Sequence, residues 1–241
     1  MRLLILAALL SARATAAAPD PSQWQSAGFL RPQLTSVDLT SAYRETGAGE
    51  PKGTMAIHAV LLRGGSWTRV QAEDHFRRAA KVYAQCGLML TSAEIVEVDP
   101  PGGRRSFVKY QDEGPGSIKA FIQSSPLKAR PVFYLFQSWE DIGDDRAWSA
   151  ADFDQGDKVD PILFDSVFFP SGVNSAAYAA ERKDSPYAVA AHELLHVLTR
   201  IGGHFNEPDR HLLNIWRTRA ARIRPKDCDL LLQNPLVTRT R

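Results

Sequence analysis

His192 and His196 stand four residues apart in AHELLHVLTRIGGHFNEPDRHLLN (residues 191–214), a stretch holding four of the chain's six histidines. On a helix that spacing puts both imidazoles on one face, one turn apart, so their nitrogens can converge on one metal ion. Tetrahedral zinc accepts such nitrogens at about 2.0–2.1 Å. Glu193 lies one residue along, beside the metal rather than on it. From there it can take a proton from water and later deliver it to a leaving amine. Two helical histidines can also be purely structural, satisfied by hydrogen bonds, and H-E-x-x-H occurs in unrelated proteins. The glutamate, the helical context and a further histidine beyond a glycine turn together favour zinc.

Two helical histidines leave one more protein ligand to find if the fourth position is kept for water. The candidates are His204, Glu207, Asp209 and His211. His204 is the expected ligand, because Gly202-Gly203 can take positive φ and turn the chain back towards the helix. Glu207 and Asp209 flank Pro208 in a turn where exposed carboxylates are ordinary, and His211 enters an apolar HLLNIW run.

The elements that must position these residues can be read from periodicity. MAIHAVLLR (55–63) alternates as a strand and Gly64-Gly65 breaks it. Ser66 or Thr68 then caps a helix through about Gln85, with Val70, Phe76, Ala79, Ala80, Val82 and Tyr83 as its apolar stripe and Gly87 as its C-terminal cap. LMLTSAEIVEV (88–98) is a second strand, so a βαβ crossover with two parallel strands is expected. A short helix is expected over 118–125, RPVFYLFQSW (130–139) is a buried strand, and PILFDSVFF (161–169) another. Ser185-Pro186 opens the motif helix, which is expected to continue to Gly202-Gly203. This describes one α/β domain with a mixed sheet and a short helical C-terminal part.

HELLH followed by a glycine turn and another histidine resembles the metzincin clan of zinc metallopeptidases. The clan's usual pattern is H-E-x-x-H-x-x-G-x-x-H, followed by a methionine-containing turn beneath the metal. The resemblance covers about residues 55–214. It implies a zincin-like single domain: a twisted mixed sheet, a long backing helix and an active-site helix. It also implies a Zn2+-dependent endopeptidase, acting as a monomer on a peptide or protein that lies extended along an edge strand, here 161–169. Two departures stand out. Thr199 occupies the glycine's place, and His204 comes eight residues after His196 instead of six. No methionine follows Met89, and Leu213 in RHLLN takes its position as hydrophobic floor. A metzincin-like zinc-binding module without proteolytic activity is the competing reading.

The bulk properties agree with an exported globular protein. Residues 1–18, MRLLILAALLSARATAAA, have a basic start, an apolar run too short to span a bilayer, and A-x-A cleavage sites, as in a secretory signal peptide. Secreted or periplasmic localisation follows. Residues 19–53 are rich in Pro, Ser, Thr, Gly and Gln and are expected to be a loosely structured segment before the domain proper, 54–241. Loss of Arg2 and Arg13 with the leader brings the 29 basic residues level with the 27 acidic ones. A neutral mature chain gives no argument for nucleic acid, and no later segment is long and apolar enough for stable membrane insertion. The two cysteines, Cys86 and Cys228, are expected to pair in an oxidising compartment. There is no nucleophile elbow, P-loop, C-x-x-C or dinucleotide fingerprint.

Overall fold

A computed structural model describes residues 20–109, 114, 116–141, 147–149, 160–174, 188–202, 212–213 and 222–240. The leader, residues 1–18, lies outside the described residues.

The segment expected to be loose, 19–53, is from Asp20 onward built into the fold. Asp20 caps helix α1 (Pro21–Ser26) by accepting from the Ser22 amide at 2.8 Å. Trp24 and Phe29 are fully buried, in an edge-to-face contact at 5.0 Å. Strand β1 (Leu30–Asp38) pairs antiparallel with β3 (Leu88–Asp99), and α2 (Thr40–Arg44) follows it. The strand leaves no periodic mark in the sequence, for a physical reason. Only Val37 of β1 is buried, while Leu30 and Leu34 are exposed, so backbone pairing holds the strand and no apolar alternation marks it.

The expected βαβ unit is present. β2 (Gly53–Leu62) runs parallel to β3, and α3 (Arg69–Tyr83) connects them. Thr68 is the cap: its hydroxyl accepts from the Gln71 amide while the Gln71 side chain accepts from the Thr68 amide. A short 3-10 turn, Ala84–Cys86, ends at Gly87 with φ 70°. Val70 departs from the expected stripe and points to solvent.

Further along, β4 (Ser106–Phe107) pairs with β6 (Ser138–Trp139) in a two-stranded ribbon, and α4 spans Ile118–Ser124. β5 (Val132–Phe136) joins β2 in parallel, and β8 (Ser166–Pro170) joins β5 in parallel. β7 (Trp148–Ser149) pairs antiparallel with β8. The main sheet therefore runs β1-β3-β2-β5-β8-β7, with β9 (Thr238–Arg239) added antiparallel at the start of β2. This corrects one expectation. The strand at 161–169 begins only at Ser166, after a 3-10 turn at Pro161–Leu163, and it is flanked by β5 and β7 rather than standing at an edge.

Side chains alternate between two cores. Ile57, Ala59 and Leu61 of β2, Phe133 and Leu135 of β5, and Val167 and Phe169 of β8 face α3 and helix α5 (Val189–Thr199). Val60, Leu62, Val132, Tyr134, Phe136 and Phe168 face Trp24, Phe29 and α4. Beyond α5, helix α6 (Pro225–Gln233) is tied back by Cys86–Cys228, whose Cα atoms are 5.0 Å apart. The expected pairing of the two cysteines is thus present. Among the described residues no helix is long and apolar enough to cross a membrane.

Two expectations follow. The disulfide closes a loop of 142 residues, so the Cys86→Ser/Cys228→Ser double variant should lose about 2–5 kcal/mol of unfolding free energy. Urea denaturation measures it, and an unchanged midpoint would refute the assigned role. The second concerns His58, which is 4% exposed on β2. Burial holds its imidazole below the usual histidine range, with Glu94 pulling it partly back and Arg130 lowering it further. The folded state therefore disfavours a proton that the unfolded chain takes up near pH 6.5. This group's contribution is complete above that pH and is lost as pH falls towards the depressed folded value. His58→Gln should flatten the acid limb of a stability-versus-pH curve; an identical slope in both proteins would exclude His58 as its source.

Candidate metal centre

The α5 sequence, VAAHELLHVLT, is apolar on nearly every side, and all of its residues are buried. Such a helix is stable only inside a core. It lies against α3, α6 and the sheet, and three contacts pin it. From α3, the Tyr83 hydroxyl donates to the Ala191 carbonyl at 2.7 Å. Burial, helped by the Glu193 carboxylate, pushes the Tyr83 phenol well above its usual range, so it stays a donor. From beyond α6, the Asn234 side-chain amide donates to the carbonyls of Leu198 at 2.9 Å and Val197 at 3.4 Å. These are carbonyls of the last turn, which have no partner within the helix. Thr199 closes the helix by donating its hydroxyl to the Leu195 carbonyl at 2.6 Å.

The helix ends earlier than expected. Thr199 is its last residue, and Arg200 takes the left-handed conformation at φ 58°. Ser185-Pro186, the expected opening, lies outside the described residues; the helix is described from Val189.

His192 and His196 project from this helix with ring centroids 5.0 Å apart. His192 Nδ1 is 2.6 Å from the Leu212 carbonyl oxygen, and His196 Nδ1 is 2.5 Å from that of Ile201. A carbonyl only accepts, so in each ring Nδ1 carries the hydrogen, which leaves the lone pair of the neutral form on Nε2. Fixing a ligand's tautomer by a hydrogen bond from its other ring nitrogen is what metal-binding histidines require. Glu193 sits on the same side: Oε1 is 3.9 Å from His192 Nε2, near but beyond hydrogen-bonding distance. All three residues are buried, His192 and His196 at 4% exposure and Glu193 at 7%.

The described part of the site is two imidazoles whose Nδ1 atoms face backbone carbonyls, beside one carboxylate, and these are donor types that zinc accepts. Among the described residues no group of three or more His, Cys, Asp and Glu side chains is placed to hold a metal ion. His204, the expected third ligand, lies outside the described residues, as do Glu207, Asp209 and His211. Leu213, expected as the hydrophobic floor, is fully buried in the same core as α5, and its neighbour Leu212 supplies the carbonyl for His192.

Reading the side chains alone misses half of this arrangement. The acceptors are backbone atoms of Leu212 and Ile201, which residue type does not signal. Tyr83 shows in the sequence only as an apolar stripe position, and Asn234 carries no periodic signal.

No family model matches the chain, and no curated protein matches it.

The tether from α3 is open to test. Tyr83→Phe keeps the ring and removes one buried donor, so it should cost about 1–3 kcal/mol in urea denaturation. A variant as stable as the parent would show that the Tyr83 hydroxyl does not anchor α5.

Proposed function

We propose that this chain is an exported zinc-dependent endopeptidase, with His192, His196 and His204 holding the metal. The observation that carries the reading is the pair of carbonyl-oriented imidazoles flanking Glu193 on one buried helix. Zinc supplies Lewis acidity, lowering the pKa of a water to about 7 and polarising a scissile carbonyl.

Glu193 is the general base. Its carboxylate takes a proton from the attacking water and later delivers it to the leaving amine. Its burial suits that task, because a carboxylate screened by few waters interacts more strongly with a developing charge. Leu212 and Ile201 act through their carbonyls, keeping the two imidazoles in one tautomer throughout. A peptide would lie extended beside β7, which flanks α5 and is the last strand of the sheet on that side among the described residues. Pairing there uses backbone hydrogen bonds and asks little of the peptide's sequence. The metzincin likeness supports the same reading through the mixed sheet, the long α3 packed on it, and Leu213 buried in the same core as the motif helix. The Cys86–Cys228 bridge fits an oxidising compartment outside the cytoplasm.

The deciding measurement pairs metal content with cleavage of unfolded protein substrates. Wild-type protein should hold one zinc and cut such substrates, and chelator should stop it. Glu193→Ala should retain the zinc and lose at least about 100-fold in rate. A purified protein without zinc, or a Glu193→Ala variant with full activity, would overturn the assignment. Zinc bound with no cleavage of any substrate would instead make the chain a zinc-binding module.

A further inference from the structure

Beside the site, two residues other than glycine adopt left-handed backbone, and they are joined to each other. Arg200 follows the last residue of α5 with φ 58° and ψ 26°. Asp165 precedes β8 with φ 59°. Arg200 Nη2 lies 2.6 Å from Asp165 Oδ1, and the two side chains are 25% and 6% exposed. The contact is a close ion pair whose angles depart from those of an aligned hydrogen bond. Left-handed backbone belongs ordinarily to glycine; aspartate tolerates it through its short polar side chain, and arginine has no such local compensation.

The position of Arg200 gives its conformation a consequence. The next residue is Ile201, whose carbonyl accepts from His196 Nδ1. Were the helix to continue, that carbonyl would point forward along the axis, away from the His196 ring. A left-handed residue at 200 folds it back. Asp165 is itself fixed to the sheet, since its carbonyl accepts from the Val132 amide at 3.0 Å and Ser166 enters β8 in register with Val132. One line of contacts thus runs from the sheet through Asp165 and Arg200 to the Ile201 carbonyl and His196.

We propose that Arg200 and Asp165 are a positioning pair for the zinc centre. Their ion pair holds the left-handed turn that orients His196, a task glycine performs by lacking a Cβ. This rests on the zinc reading above. Neither side chain is a ligand or a catalytic group; both act through the Ile201 carbonyl.

The test compares zinc dissociation constants, measured by competition with a chromogenic chelator, with the unfolding temperature of the zinc-free protein. Arg200→Ala and Asp165→Asn should each bind zinc about 10–100-fold more weakly. Arg200→Gly loses the same guanidinium but favours the turn, and it should stay within about threefold of wild type. Adding Arg200→Gly to Asp165→Asn should restore the affinity of Arg200→Gly alone. If all variants lower the unfolding temperature and none changes zinc affinity, the pair is structural only and the proposal fails. It also fails if Arg200→Gly is as weak as Arg200→Ala, because the guanidinium would then act by some route other than the turn. Should Asp165→Asn not fold, the alanine–glycine contrast at position 200 decides alone. Wild-type protein that binds no zinc would remove the zinc reading itself, whereas normal wild-type binding with unchanged variants removes only the positioning pair.

Discussion

A helix whose 11 residues are all buried gives water little access to the polar groups it carries. Each must find its partner within the fold, and the fold around α5 is arranged accordingly. His192 and His196 reach two backbone carbonyls, Thr199 bonds back to Leu195, Asn234 covers the last turn, and Tyr83 reaches Ala191. The magnitudes explain why these partners matter. Making such a bond contributes only about 0.5–1.5 kcal/mol net, whereas leaving a buried group unmade costs about 1–3 kcal/mol. The penalty exceeds the gain, so the polar side chains of α5 dictate what may pack beside them. A chain segment that brings Leu212 under His192 is one such requirement.

The frame that holds these partners in register is covalent at one point and apolar elsewhere. α3 supplies Tyr83 to α5 and, three residues on, Cys86 to the disulfide. Cys228 then fixes α6, and the chain leaving α6 presents Asn234 to the end of α5. The two ends of the motif helix are therefore tied to one another through a route that never crosses the site. Exposed ion pairs contribute little by comparison. Arg104–Glu140 and Arg78–Asp74 lie at the surface, where each is worth about 0–1 kcal/mol and is weakened by salt.

The sequence made some of this legible and concealed the rest for identifiable reasons. β2, α3 and β3 are readable because burial leaves a period in their residue types, and β5 because burial on both faces leaves an unbroken apolar run. The cysteine pairing was readable because only two cysteines exist. β1 was hidden because its backbone does the pairing while its side chains stay largely in solvent. β7 was hidden because it is two residues long, and its presence removes β8 from the sheet edge. Within the site, His192, Glu193 and His196 were evident from type and spacing, whereas the carbonyls of Leu212 and Ile201 belong to atoms every residue has.

Thr199 and Arg200 together set where the motif helix ends and how the chain leaves it. In the usual metzincin pattern a glycine stands where this chain has Thr199, three residues after the second histidine. Thr199 instead remains helical, its hydroxyl bonded to Leu195, and the left-handed residue falls one position later at Arg200. Moving the turn onto arginine carries a conformational cost of about 1–2 kcal/mol that glycine would not incur. A buried carboxylate at the matching position on the sheet, itself in a left-handed turn, offsets that cost through the ion pair. The exit from the helix is thereby coupled to the start of β8, so the orientation of His196 depends on the sheet as well as on its own helix. A glycine turn would leave those two parts independent.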